Sequence, residues 1–273
     1  MVVCAAISEE RIQRFQEQVF TFSQAHGRSL PWRETTDPYR ILVSEVMLQQ
    51  TQVSRVIPFY EHWIEAWPSV AALADASRAS VLRAWMGLGY NSRGVNLHRA
   101  AGVIVERFAG DVLEAMRQYA EVPGVGRYTA QAVRIFAANE DLVTVDTNIR
   151  RILRAEFSLA DATPDRDLWD LAVRCLPRGR SREWHNALMD YGALLVTARR
   201  TGIAPRTRQS RFEGSDRQVR ARLLRLLLQS PASAVTLAEK TATSKKRIRR
   251  ILGKMSEEGL VVSNGGVYRI LEK

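Results

Sequence analysis

Lysine is missing from the first 239 residues of this 273-residue chain; the first is Lys240. That stretch therefore offers no side-chain amine for Schiff-base chemistry. Cysteine is almost as scarce: Cys4 and Cys175 stand far apart and no C-x-x-C occurs. Neither a disulfide framework nor a cysteine metal site is indicated. No run of about 18 apolar residues suggests a membrane span, and no leading segment combines a basic start, an apolar middle and a small-residue cleavage site. The expectation is a soluble, intracellular chain with no membrane partner.

The hydrophobic fraction of 46% is enough for a real core in one large or two modest domains. Charge is unevenly placed. Residues 1–198 carry 22 basic and 23 acidic groups, residues 199–210 add four basic groups, and residues 211–273 carry 14 basic against 6 acidic. All the net basicity thus sits in the last quarter, as polyanion binding requires; a solvated charged tail is the plainer alternative.

The most informative run is Val122 to Asn148, VPGVGRYTAQAVRIFAANEDLVTVDTN. Pro123-Gly124-Val125-Gly126 separates a helix expected over Asp111 to Glu121 from one over Arg127 to Ala138, at a turn too tight for side chains. Its amides at Gly124, Gly126 and Tyr128 stand at a helix N-terminus, where a phosphate is favoured; an ordinary helix connection would look the same. After the apolar Leu142, Val143 and Val145 comes Asp146, where the chain re-enters a helix from Ile149 to Glu156. There it could be simply an N-cap.

Upstream, residues 8–26 have helical period with Ile12, Phe15, Val19 and Phe22 on one face. The loop HGRSLPWRETTDPYR precedes a helix from Tyr39 in which Val43, Val46 and Met47 face the core. Glu45 lies on the same apolar segment, where a carboxylate is costly without partners. Short helices are expected between Val56 and Ala109, broken at GLGY, which presents Tyr90. Residues 161–198 read as two helices, and 199–215 as an arginine-rich linker. Residues 216–229, Val235 to Thr241 and Thr243 to Glu258 read as helices, followed by a hairpin turning at Asn264-Gly265-Gly266. The last helix presents Lys245, Lys246, Arg249 and Arg250 outward, a winged helix-turn-helix pattern with 243–258 as recognition helix.

The blocks LPWR, SEVMLQQTQV, GLGY, PGVGRYTA and VDTNIRR, in this order between Ser29 and Thr197, resemble the MutY-type adenine DNA glycosylases of the helix-hairpin-helix/GPD superfamily. The resemblance implies a mostly α fold. A glycosylase domain over 1–198, two helical subdomains with the active site between them, would be followed by the linker 199–215 and a winged-helix-like domain over 216–273. It implies a monofunctional base-excision enzyme that flips a mispaired adenine, opposite 8-oxoguanine or guanine, and cuts its N-glycosidic bond.

By that resemblance Glu45 is the acid that protonates the leaving base and Asp146 the carboxylate that stabilises the oxocarbenium-like sugar. Tyr128 and Asn148 match the residues that orient Glu45 and the reacting sugar. Arg28, Leu30, Trp32 and Asp190 match adenine-pocket positions, with a helix-surface acid as the other reading of Asp190. Gln49, Gln50, Thr51, Leu88 and Tyr90 match positions at the opposite base and the vacated gap. Gly124, Gly126 and Arg127 match the phosphate-binding hairpin, with room for a structural monovalent cation. Strand-cutting relatives use a lysine where this chain has Tyr128, so no lyase step is expected.

Two departures stand out. Val196 occupies the place of the first of four cysteines that hold an iron–sulfur cluster in most relatives, and none of the others follows, so no cluster and no metal are expected. Residues 211–273 are also too short for the MutT-like domain that reads 8-oxoguanine. The alternatives are a glycosylase for hypoxanthine, thymine or uracil opposite guanine, and a non-catalytic DNA-binding protein on the same scaffold. Double-stranded DNA is the expected partner, the state monomeric and the location a prokaryotic cytoplasm.

Overall fold

The computed structural model describes residues 7–202 and 213–271. Cys4 and the middle of the arginine-rich segment lie outside them. The helices are α1 (Glu9–His26), α2 (Pro38–Leu48), α3 (Val53–Ala66), α4 (Val70–Ala74), α5 (Arg78–Trp85), α6 (Ser92–Phe108), α7 (Val112–Arg117), α8 (Arg127–Ala138), α9 (Thr147–Glu156), α10 (Asp165–Arg174), α11 (Ser181–Leu194) and α12 (Ala198–Thr201). Then come α13 (Asp216–Gln229), β1 (Ala232–Ser233), α14 (Ala234–Thr241), α15 (Lys245–Glu257), β2 (Val261–Asn264) and β3 (Val267–Ile270). Serine starts many of the helices: Ser8, Ser69, Ser77, Ser215, Ser233 and Ser244 each accept a bond from a first-turn N–H, satisfying a donor that the helix cannot.

The chain folds into two compact units: residues 1–45, 116–119 and 125–208, and residues 46–115, 120–124 and 209–273. These units cut across the segments read from composition. In the first unit α1 and α11 pack closely, with α9 and α8 also against α11. Phe15, Val19, Ile152, Leu168, Leu171, Trp184, Leu188 and Tyr191 fill the core. Phe15 meets the Trp184 ring edge-on at 5.6 Å, the favoured aromatic geometry. Gly192 lets α11 approach α9, since a Cβ there would lie 3.0 Å from Ile152 Cδ1. Phe22, expected inward, is only partly buried and lies against Tyr191.

The second unit joins α3–α6 to the C-terminal segment. Leu82 of α5 and Val95 of α6 share one core with Val219, Leu223, Leu227, Ile248, Ile251 and Leu252. The C-terminal segment has the order α13-β1-α14-α15-β2-β3, with a small sheet of order β1-β3-β2. Strand β1, two residues long, was not legible in the sequence; it pairs antiparallel with β3 at Ala232–Tyr268 and Ser233–Val267. One expected helix is shorter than its pattern. The helix read over Asp111 to Glu121 stops at Arg117, and a 3₁₀ turn covers Tyr119–Glu121, a common device where a chain tightens into a turn.

Candidate active site

Glu45, Tyr128, Asp146 and Asn148 all belong to the first unit. Helix α2 turns Val43, Val46 and Met47 into the interior, as expected, and takes Glu45 with them, leaving it 8% exposed. Burial, together with the negative charge of Asp146, lifts the Glu45 carboxyl to about 7 against the downward pull of a hydrogen bond from the Tyr128 hydroxyl. The Tyr128 phenol is pushed well above its ordinary range by its own burial and by the two carboxylates. It therefore serves as a neutral donor.

Asp146 is indeed an N-cap, and that is how its carboxylate is aimed. Its Oδ1 accepts the Ile149 amide at 2.7 Å and its Oδ2 the Asn148 side-chain amide at 3.3 Å. Burial raises its pKa, while the Ile149 and Asn148 amides, Arg151 and the Asn148 side chain pull it back down. Glu45 has one donor of this kind, Asp146 several and the positive end of α9 besides. Both carboxyls are raised by burial, but only Asp146 is held by several donors that favour its anion.

Several residues that support this geometry were not evident from the sequence. Arg151, buried on α9, donates to Asn148 Oδ1 at 2.7 Å, to the Gly192 carbonyl at 3.2 Å and, through Nε, to the Val196 carbonyl at 2.6 Å. The end of α11 thereby fixes the Asn148 amide, and Asn148 fixes Asp146. His185, also on α11, donates through Nδ1 to the Ser181 carbonyl at 2.8 Å and accepts the Thr144 amide on Nε2 at 3.3 Å. The second bond pins the segment that leads into Asp146. Burial holds this imidazole down to about 4, opposed by the Ser181 bond, so it is neutral at physiological pH.

Asp190 is no surface acid. It is 1% exposed and clamps the loop before α2, taking Arg28 Nε at 2.6 Å and Arg33 at 2.8 and 3.0 Å. Arg33, absent from the residues singled out in the sequence, also donates to the Arg28 carbonyl at 3.0 Å. Leu30 and Trp32 between them are buried, at 6% and 8%. Such a clamp fixes the path of LPWR whatever that loop contacts.

In the second unit the expected opposite-base residues are brought together by another arginine. Arg93 of α6 donates to the carbonyls of Val46 at 2.8 Å, Met47 at 3.0 Å, Gln49 at 2.5 Å and Gly89 at 3.2 Å, and to Thr51 Oγ1 at 3.1 Å. It closes the end of α2 and ties loop 49–51 to loop 87–90. Gln50 and Tyr90 both take left-handed backbone, φ 56° and 47°, a cost that such a knot can sustain. Tyr90 is 39% exposed whereas Leu88 is 6% exposed, so the tyrosine is the side chain on show.

Gly124 has φ 74°, and a Cβ there would lie 2.6 Å from that of Asn96; glycine is required. Gly126 caps α8 through its backbone, and Arg127 stacks over the Trp169 ring at 4.6 Å. On α15, Lys245, Lys246 and Arg249 are exposed, but Arg250 is taken by Asp216 at 2.7 Å, as is the neighbouring Arg247 at 2.9 Å.

The family model for HhH-GPD superfamily base excision DNA repair proteins matches residues 43–171, the stretch that holds the carboxylate pair and the hairpin. An adenine DNA glycosylase of Mycolicibacterium smegmatis is 42% identical over 78% of this chain and 79% of its own. The chain belongs to the HhH-GPD superfamily, with the MutY-type adenine DNA glycosylases.

Among solved structures, a thermostable thymine-DNA glycosylase superposes with a TM-score of 0.64 at 26% identity, covering 70% of this chain and 90% of the other. An endonuclease III trapped on DNA gives a TM-score of 0.62 at 15% identity, over 73% and 91%, and so shares the HhH-GPD fold. One group associated with this superfamily does not fit. Four cluster thiolates cannot come from a chain with two cysteines. The backbone carbonyl of Val196, where the resemblance would put the first of them, anchors Arg151.

Proposed function

We propose that the chain is a monofunctional adenine DNA glycosylase of base excision repair, acting on adenine mispaired with 8-oxoguanine or guanine in double-stranded DNA. The observation that carries it is the pair of buried carboxyls, Glu45 with a single donor and Asp146 with several. Glu45, with a pKa of about 7, still holds a proton near neutrality and can give it to a ring nitrogen of the extruded base. Asp146, served by the donors of α9, supplies negative charge where the sugar becomes oxocarbenium-like. The C1′–N bond breaks, the base leaves with the Glu45 proton, and water adds to the sugar cation and gives up a proton to the Glu45 carboxylate, leaving an abasic site.

Tyr128 stands where strand-cutting relatives have a lysine, and no lysine precedes Lys240, so strand scission needs alkali. The thymine-DNA glycosylase likeness motivates a second reading, thymine opposite guanine. A protonated carboxyl at the base favours a purine, whose anion leaves poorly. The DNA backbone is expected at the α8 hairpin, where free amides meet a helix N-terminus.

Single-turnover incubation with adenine opposite 8-oxoguanine, guanine and cytosine, and with thymine, uracil and hypoxanthine opposite guanine, decides between these. Alkali-dependent cleavage confined to adenine strands and lost in Asp146→Asn is the expected result. Release of another base moves the substrate and keeps the mechanism. Tight binding without release from any duplex removes the enzymatic reading.

A further inference from the structure

The loop that presents Tyr90, residues 86–91, joins α5 to α6, and its backbone is costly to keep. Gly87 at φ 121°, Gly89 at 77° and Tyr90 at 47° all have positive φ, and a tyrosine stays there only where its surroundings over-determine it. Part of that constraint is local. The Trp85 indole donates to the Gly89 carbonyl at 3.1 Å, and a Cβ on Gly94 would stand 2.7 Å from the Trp85 ring.

The rest comes from the far end of the chain. Leu82, three residues before α5 ends, and Val95, three residues after α6 begins, are both fully buried. Every other buried member of their core, among the described residues, lies between 219 and 270. Arg78, one turn back on α5, is buried too, and its Nη1 donates at 3.1 Å to the carbonyl of Gly259, just past α15. Its Nε has no partner among the described residues, so this guanidinium costs desolvation that an apolar packing residue would not. Arg83 Nη2 reaches the Leu228 carbonyl, near the end of α13, at 3.4 Å. Both helices that flank the Tyr90 loop are thus seated in the C-terminal core, α5 by packing and arginine–carbonyl bonds and α6 by packing.

We propose, resting on the glycosylase reading above, that residues 216–270 brace the Tyr90 loop, with Arg78 as the positioning residue. By fixing α5 and α6 from outside, they hold residues 86–91 in the shape that lets Tyr90 fill the space left by the extruded base. Extrusion costs stacking and pairing energy, and ordering a loose loop in the complex would add to that cost. A loop already ordered in the free protein avoids the addition. The segment therefore acts on the extrusion step through packing, which separates this role from phosphate contacts by the exposed Lys245, Lys246 and Arg249.

The full-length protein is compared with Arg78→Met, Arg78→Lys and Leu82→Val, and with Leu168→Val, the same truncation in the core of the first unit. The readouts are hydrogen exchange of residues 86–91 without DNA, the fluorescence rise of 2-aminopurine placed beside the target adenine, and single-turnover excision at saturating protein. Arg78→Met and Leu82→Val are expected to speed loop exchange and to lower extrusion and excision, by about tenfold for Arg78→Met. Leu168→Val should stay within about twofold in all three. Arg78→Lys keeps a donor for the Gly259 carbonyl and should recover most of the loss. Equal effects of Leu82→Val and Leu168→Val would reduce the brace to general stability and overturn the proposal. A loss confined to affinity, with extrusion at saturation unchanged, overturns it as well and makes the segment a DNA contact. Leu82→Val removes a single methylene, so its contrast with Leu168→Val decides even if Arg78→Met does not fold. Should the wild type excise no adenine, the glycosylase reading falls by itself, and loop exchange, read without DNA, still decides whether the segment braces residues 86–91.

Discussion

Glu45 carries the sharpest prediction at the level of single residues. As the proposed acid its carboxyl would have to be protonated, and burial with the charge of Asp146 sets its pKa at about 7. Excision measured at single turnover should therefore be flat below that pH and fall about tenfold per unit above it. Glu45→Gln should lose about 10²- to 10⁴-fold at pH 6 and lose the dependence as well. A rate that keeps rising past pH 8 in the wild type would show that Glu45 acts as its anion. Glu45 and Asp146 stood out in the sequence as candidates because each sits in a block whose order and spacing are specific. Arg151 and His185 were not. Their partners are backbone carbonyls and amides at residues 192, 196, 181 and 144, and a backbone group has no sequence signature. Asp190 shows the intermediate case. It was visible as a candidate, but only the folded loop reveals that two arginines, 28 and 33, converge on it.

Helices and their ends were mostly readable, because serine caps, glycine turns and a 3.6-residue apolar period recur along the chain. What the pattern could not show was how loops 49–51 and 87–90 are held, since that depends on Arg93 reaching both. Its guanidinium is buried enough to lower its pKa to about 10, yet it stays cationic at neutral pH. A lysine has three donors on one nitrogen and no planar fork, so it cannot serve the same five acceptors. Arg93→Lys is thus expected to destabilise the protein by about 3 kcal/mol, from carbonyls left without a donor. It should also weaken duplex binding, because Tyr90 and Gln50 lose the tie that sustains their left-handed backbone. Denaturant melts and anisotropy measure the two effects. A variant within about 0.5 kcal/mol of wild type would mean that the loops hold their shape unaided.

At the scale of the whole molecule two buried groups set opposing dependences of stability on pH. Glu45 rises from 4.5 unfolded to about 7 folded, so the fold keeps a proton that the unfolded chain releases, and stability falls as pH climbs through that window. His185 drops from 6.5 to about 4, so the unfolded chain takes a proton that the fold refuses, and stability falls as pH descends from 6.5 to 4. Each span corresponds to about 3 kcal/mol at roughly 1.4 kcal/mol per unit. Asp146, raised, adds to the first slope from 3.8 upward, and Asp190, lowered, continues the second below 3.8. Between pH 4.5 and 6.5 the two main slopes nearly cancel, and calorimetry of the wild type should find a shallow plateau. Glu45→Gln removes one side and should leave stability rising with pH over that range. His185→Leu removes the other and should leave it falling. The double variant should be shallow again at lower absolute stability, since the Thr144 bond is gone. If Glu45→Gln leaves the slope of the wild type unchanged, Glu45 is already ionised in the fold at pH 5, and it cannot be the acid that delivers the proton to the leaving base.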